Sequence, residues 1–72
     1  MELNIVKQII AEVLKVDVRE ISEETTLVLD LGADSLDIMR ILMNIEEKFG
    51  LIIDKKSISH IETVNDVLNL IK

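Results

Sequence analysis

Residues 31 to 37 read Leu-Gly-Ala-Asp-Ser-Leu-Asp, which sets one serine between two aspartates, after a glycine and before a strongly apolar run. Three roles fit a serine so placed. Its hydroxyl can be a nucleophile, provided a histidine and a carboxylate complete a proton relay. It can anchor a phosphodiester, because free N–H groups and the positive dipole end of a helix stabilise an anion. Or the pair only caps a helix, with Asp34 as N-cap and Ser35 as the first helical residue. The neighbouring carboxylates oppose further negative charge at Ser35; in the attachment reading their use is to recruit a basic modifying enzyme.

The nucleophile reading is the poorest of the three. Gly32-Ala33-Asp34-Ser35-Leu36 resembles the G-D-S-L string of a family of serine hydrolases, but His60 is the only histidine. Seventy-two residues also leave little room for an oxyanion hole and a substrate cleft. Cysteine is absent, so disulfides and thiolate metal sites are excluded and any working thiol must be imported. Asp30, Asp34 and Asp37 can attract divalent cations weakly, yet no EF-hand spacing surrounds them, so no dedicated metal site is expected. His60 reads as an exposed or helix-end residue.

The elements that must position Ser35 follow from apolar spacing. Leu3, Val6, Ile9, Ile10 and Val13 predict an amphipathic helix over about 2–15. A long stretch with broken periodicity runs on to residue 34, with Val16, Val18, Ile21, Leu27, Leu29 and Leu31 expected to pin it to the core. A short helical turn is expected near Ser22 to Thr25. Loops of this length in small domains usually carry function. A second helix is predicted from Ser35 to Lys48, with Ile38, Ile41, Leu42, Ile45 and Phe49 on one face and Gly50 as its stop. After Leu51 to Asp54, residues Lys55 to His60 give about one and a half helical turns. Thr63-Val64-Asn65-Asp66 reads as a capping box with Asp in place of Glu, opening a last helix with Val64, Val67, Leu68 and Ile71 inward. The expectation is one all-α domain over residues 1–72, a small four-helix bundle of three longer helices and a short third one.

Composition supports a dense aliphatic core: twelve Ile and ten Leu accompany a single aromatic, Phe49. Without large rigid rings such a core can open around an apolar guest, although a filled core is the plainer reading for the unmodified chain. The formal net charge is −6, and it concentrates in one region. Asp17, Glu20, Glu23, Glu24, Asp30, Asp34 and Asp37 face Arg19 alone, while elsewhere acids and bases cancel. Nucleic acid is therefore disfavoured as a partner and basic protein surfaces are favoured. No apolar stretch approaches a membrane span, and Met1 to Lys7 shows no signal peptide, so a cytoplasmic protein is expected; a monomer is the expected state.

Leu31-Gly32-Ala33-Asp34-Ser35-Leu36-Asp37 closely resembles the prosthetic-group attachment motif of the acyl carrier proteins. Glu46-Glu47-Lys48-Phe49-Gly50 is similar to that family's acidic close of the second helix, and Ile61-Glu62-Thr63-Val64 to its approach to the last helix. The resemblance implies a carrier with no catalysis of its own, working in fatty acid biosynthesis or in polyketide, lipopeptide or other specialised acyl chemistry. Ser35 would receive 4′-phosphopantetheine from coenzyme A through a phosphopantetheinyl transferase. The arm's thiol would then carry acyl groups between acyltransferases, ketosynthases and reductases. An unmodified acidic helical adaptor, with Asp34-Ser35 only a cap, is the competing reading.

The same resemblance assigns Asp34, Leu36 and Asp37 to partner contact, with Glu46 and Glu47 continuing the acidic surface. Met39 and Met43 are expected on the outer side of the second helix, where adaptable thioethers suit several partners, unless they are partly buried in the core. Leu27, Val28, Leu31, Ile38, Leu42, Ile45, Ile53, Ile58, Ile61, Leu68 and Ile71 are candidates to line an acyl cavity between the second and third helices. Departures from the family pattern are Arg40, Lys55 and Lys56 at usually acidic positions, and Asp54 at a common proline. They point to a specialised carrier.

Overall fold

The apolar stripe of the first fifteen residues folds as an α-helix, α1 (Glu2–Leu14), with Val6, Ile9 and Ile10 buried. The computed structural model describes residues 2–71, without the side chain of Lys55; the outermost residues of the expected domain, Met1 and Lys72, and the Lys55 cation lie outside the described residues. α1 stops one residue earlier than its periodicity suggests. Lys15 turns left-handed (φ 57°) and the Val16 amide reaches back to the Ala11 carbonyl at 3.1 Å. That six-residue closure satisfies a carbonyl the helix end would leave unpaired.

The second helix, α2 (Ser35–Phe49), buries Ile38, Ile41, Leu42 and Ile45. Gly50 follows in the left-handed region at φ 65°, and the Leu51 amide closes the same kind of motif on the Glu46 carbonyl at 3.1 Å. The last helix, α3 (Val64–Asn69), buries Val64, Val67 and Leu68. α1 packs against both α2 and α3. Ile21, Leu27, Ala33, Ile53 and Ile61 complete the core from the connecting segments, and Phe49 lies partly buried against it.

The four-helix expectation needs correction. There are three α-helices among the described residues, and the last spans only six residues. Lys55–His60, expected as the short third helix, is a 3-10 segment. The Asp54 carboxylate accepts the Lys56 N–H, and the Ser57 amide donates to the Asp54 carbonyl at 2.9 Å. Ile58 is its one apolar side chain, so a 3.6-residue repeat would gain no second buried position there.

The long connection also departs in detail. Its helical turn lies at Val18–Glu20, where Asp17 caps a 3-10 segment, and not at Ser22–Thr25. Ser22 and Thr25 form a reverse turn in which the Ser22 N–H donates to Thr25 Oγ1 at 2.8 Å. Val18, Val28 and Leu29, expected inward, are exposed, Leu29 by 87%. For Val28 and Leu29 the cause is a helix-like turn from Thr26: the Asp30 and Leu31 amides both reach the Thr26 carbonyl, and Gly32 N–H donates to the Val28 carbonyl. Four-residue spacing therefore brings Leu27 and Leu31 to the core side and turns Val28 and Leu29 to solvent.

This connection is sewn to the start of α3. Leu27 N–H donates to the Glu62 carbonyl at 2.9 Å, Val64 N–H to Thr25 at 3.0 Å, and Asn65 N–H to Glu23 at 2.9 Å. Thr26 and Thr63 form an isolated antiparallel bridge between them. Such pairing is obligatory for these amides, because a buried N–H without a partner is costly.

Candidate functional site

Ser35 opens α2 and is exposed. Two features fix its position. On the loop side, Gly32 adopts φ 71°, and buried Ala33 donates its N–H to the Leu27 carbonyl at 2.9 Å. Leu27 is itself fully buried and held by Glu62, so the loop before the serine is anchored in the core and against α3. On the helix side, Asp34 and Asp37 form a reciprocal capping box. Asp34 Oδ1 accepts the Asp37 N–H at 2.8 Å, and Asp37 Oδ2 accepts the Asp34 N–H at 3.3 Å. Sequence spacing identified Asp34 as the cap, whereas the return bond from Asp37 was missed. The Asp-x-x-Asp spacing carries it, as the comparable spacing at Thr63 and Asp66 did.

Ser35 Oγ has no hydrogen-bond partner among the described residues, and exposed His60 makes no hydrogen bond to it. The two nearby carboxylates each give one oxygen to a backbone amide. What the geometry offers is an accessible hydroxyl on a rigid helix start. A phosphodiester fits that position: the first-turn dipole favours an anion, and the aspartates hold the helix end in place. No group of three or more metal-ligating side chains is arranged to hold an ion among the described residues.

Around the serine, Leu36 is 56% and Met43 61% exposed, and Arg40 and Glu47 are exposed on the same outer side of α2. Glu47 lines an open groove against α1 with Ile5, Gln8 and Glu12. Glu46 differs from the expectation of a free acidic contact. It is half-buried, and its Oε2 accepts the Ile53 N–H at 2.7 Å, binding α2 to the connection that follows it. Met39 is half-buried as well.

An apolar cleft of about 20 Å³ lies between α2 and the 3-10 segment, lined by Met39, Leu42, Met43, Glu46, Ile53 and Ile58. Of the residues expected around an acyl cavity, Leu42, Ile53 and Ile58 reach it. Leu27, Ile38, Ile45, Ile61 and Leu68 are buried in the filled core, Leu31 and Ile71 pack partly against it, and Val28 is exposed at 52%. Met39, Met43 and Glu46 join the cleft wall instead, as their one-turn spacing on α2 allows.

Three carboxyl groups sit below the usual carboxylate range. Asp30 is held there by the Thr26 backbone N–H, Asp66 by the N–H groups of Thr63 and then Glu62, and Asp17 by the Arg19 side chain. Asp17 and Arg19 form an exposed pair at 2.7 Å, so the one base in the acidic stretch is already spoken for.

The arrangement is an exposed serine at a capped helix start within a small all-helical fold. The family of phosphopantetheine attachment sites matches residues 4–71. The chain is 43% identical to the acyl carrier protein of Thermotoga maritima over 93% of this chain and 83% of that protein. It is also 43% identical to the acyl carrier protein of Chlamydia caviae, over 93% and 87%. A solved structure from Mycobacterium tuberculosis, described as a candidate acyl carrier protein, superposes with a TM-score of 0.91 at 30% identity, over 99% of this chain and 95% of that one. The chain belongs to the acyl carrier protein family, whose prosthetic group is phosphopantetheine.

Proposed function

We propose that Ser35 receives 4′-phosphopantetheine from coenzyme A through a phosphopantetheinyl transferase, and that the chain then carries acyl groups in fatty acid biosynthesis. The observation that carries this reading is the exposed Ser35 hydroxyl, free of hydrogen bonds among the described residues, on a helix start held by the Asp34–Asp37 box. Once attached, the group supplies a thiol on a flexible arm, to which acyl groups are joined as thioesters. The chain has no cysteine to compete with that thiol. Its own residues perform no catalysis in this reading: they mount the arm, shield cargo and present a surface.

Asp34, Leu36, Asp37, Met39, Arg40, Met43 and Glu47 form the surface met in turn by the transferase and by acyltransferases, ketosynthases and reductases. An acidic field focused on one loop steers basic partners towards Ser35. The cleft between α2 and the 3-10 segment is where a chain is sheltered, since apolar area withdrawn from water contributes about 25 cal/mol per Å². No helix of the described residues is long and apolar enough to cross a membrane, and a cytoplasmic monomer is the setting this reading takes.

A second reading, a carrier for specialised acyl chemistry, draws on Arg40. It lies exposed beside Lys15 and Met43 in a surface groove and interrupts the acidic side of α2.

The test is intact mass spectrometry after incubating the apo protein with coenzyme A and a promiscuous transferase. One phosphopantetheine is expected on the wild type and none on Ser35→Ala. An unchanged wild-type mass would favour the unmodified adaptor, and labelling of the variant would place attachment elsewhere.

A further inference from the structure

Glu46 holds the same short connection twice. Its backbone carbonyl accepts the Leu51 N–H at 3.1 Å, and its Oε2 accepts the Ile53 N–H at 2.7 Å. The second contact is a side-chain bond between α2 and the segment across the cleft, and both its residues are part of the cleft wall. Ile53 is buried there, whereas its neighbour Ile52 is 95% exposed.

We propose that the Glu46 carboxylate, by holding the Ile53 amide, is a latch that sets the length of acyl chain the cleft admits. With the latch closed, about 20 Å³ has room for roughly one water molecule and no alkyl chain. A longer guest must displace the wall opposite α2, and that wall is tied down at Ile53. Met39 and Met43 lie one and two turns below Ser35 on the same helix, so a chain on an arm from that serine reaches the cleft from its own molecule. Their unbranched thioethers can shift rotamer without backbone movement, which leaves the Ile53 side as the wall that must move. Short acyl groups stay outside and leave the bond intact; medium chains enter and break it.

The inference rests on Ser35 carrying the arm, and the test separates the two claims. Wild-type protein is loaded with acetyl-, then octanoyl-phosphopantetheine, loading is confirmed by intact mass, and hydrogen exchange of the Ile53 amide is followed by NMR. Loss of one hydrogen bond to a charged acceptor should speed exchange by about tenfold or more in the octanoyl form, with the acetyl form matching the unacylated one. Glu46→Gln keeps an acceptor and should preserve the contrast. Glu46→Met removes it and should give fast exchange in every form. Equal Ile53 protection in correctly loaded acetyl and octanoyl wild type overturns the latch alone. Failure of the wild type to gain mass overturns the carrier reading and the latch with it. Should Glu46→Met not fold, the wild-type comparison still decides.

Discussion

Asp34 and Asp37 each accept the other's backbone N–H, at 2.8 and 3.3 Å respectively, and Ser35 sits inside the loop that these two bonds close. The aspartates beside the serine thus have a mechanical role that is independent of any partner. Asp34→Ala should cost about 0.5–2 kcal/mol in urea unfolding, with Asp34→Asn recovering most of it. Ser35→Ala, which removes no hydrogen bond, should stay within about 0.5 kcal/mol. A loss at Ser35 as large as that at Asp34 would show that the hydroxyl supports the helix after all.

Leu27 and Leu29 differ by two positions and should differ sharply in consequence. Leu27 is fully buried and Leu29 is 87% exposed. Leu27→Ala should lose about 2–5 kcal/mol, enough to unfold much of a small domain at room temperature. Leu29→Ala should change stability by about 0.5 kcal/mol or less. Thermal unfolding by circular dichroism measures both. Comparable losses would contradict the outward turn at Val28 and Leu29.

The lowered pKa values of Asp30 and Asp66 set a pH window. A carboxyl whose folded value lies below its ordinary 3.8 contributes stability in full above that value. The contribution is lost as pH falls through the lower folded value. Melting temperature should therefore drop as the medium is acidified below about pH 4. Asp66→Asn should start lower at neutral pH and fall less steeply in acid. A variant whose acid limb parallels the wild type would remove Asp66 from this account.

Arg40 gives a prediction about partner choice. Like charges across an exposed contact cost about 0.2–1 kcal/mol per pair, which is sufficient to reorder partners. Loaded Arg40→Glu should be accepted faster than the wild type by a ketosynthase of housekeeping fatty acid synthesis. Equal rates would count against the specialised carrier.

Lys15 offers a gain. It holds a left-handed backbone (φ 57°) at the end of α1, the place where glycine is usual. Lys15→Gly should raise stability by about 0.5–1 kcal/mol, the relief of backbone strain less glycine's extra unfolded entropy. Denaturant titration would show it as a higher midpoint with an unchanged slope.

What could be read from residue order follows a physical division. α1 and α2 were legible because a buried stripe repeated over three or four turns leaves a strong periodic mark, and Gly50 marks the end of α2 and Thr63–Asp66 the start of α3 chemically. Ser35 was legible because its neighbours carry a helix-start pattern as well as a family resemblance. Lys55–His60 was misread as α because one apolar residue, Ile58, cannot distinguish a three-residue from a 3.6-residue repeat. Leu29 was misplaced because Leu27, Leu29 and Leu31 alternate like a buried strand, whereas bonds to the Thr26 carbonyl wind them into a turn. Glu46 was taken for a solvent-facing acid because its partner, the Ile53 amide, leaves no trace in residue types. Backbone acceptors chosen by tertiary geometry are invisible to side-chain patterns.

The seam joining Glu23, Thr25 and Leu27 to Glu62, Val64 and Asn65 spans roughly thirty-five to forty-two positions of chain. Contacts that distant close late, since the entropy of a large loop must be spent before any bond is made. During synthesis, a polypeptide still inside the ribosome beyond residue 60 has nothing to grip Leu27, and through Leu27 nothing to steady Ala33. The mount under the serine is finished only after residues 62 to 65 emerge, so an enzyme that demands the finished mount ignores a nascent chain in which those residues are still enclosed.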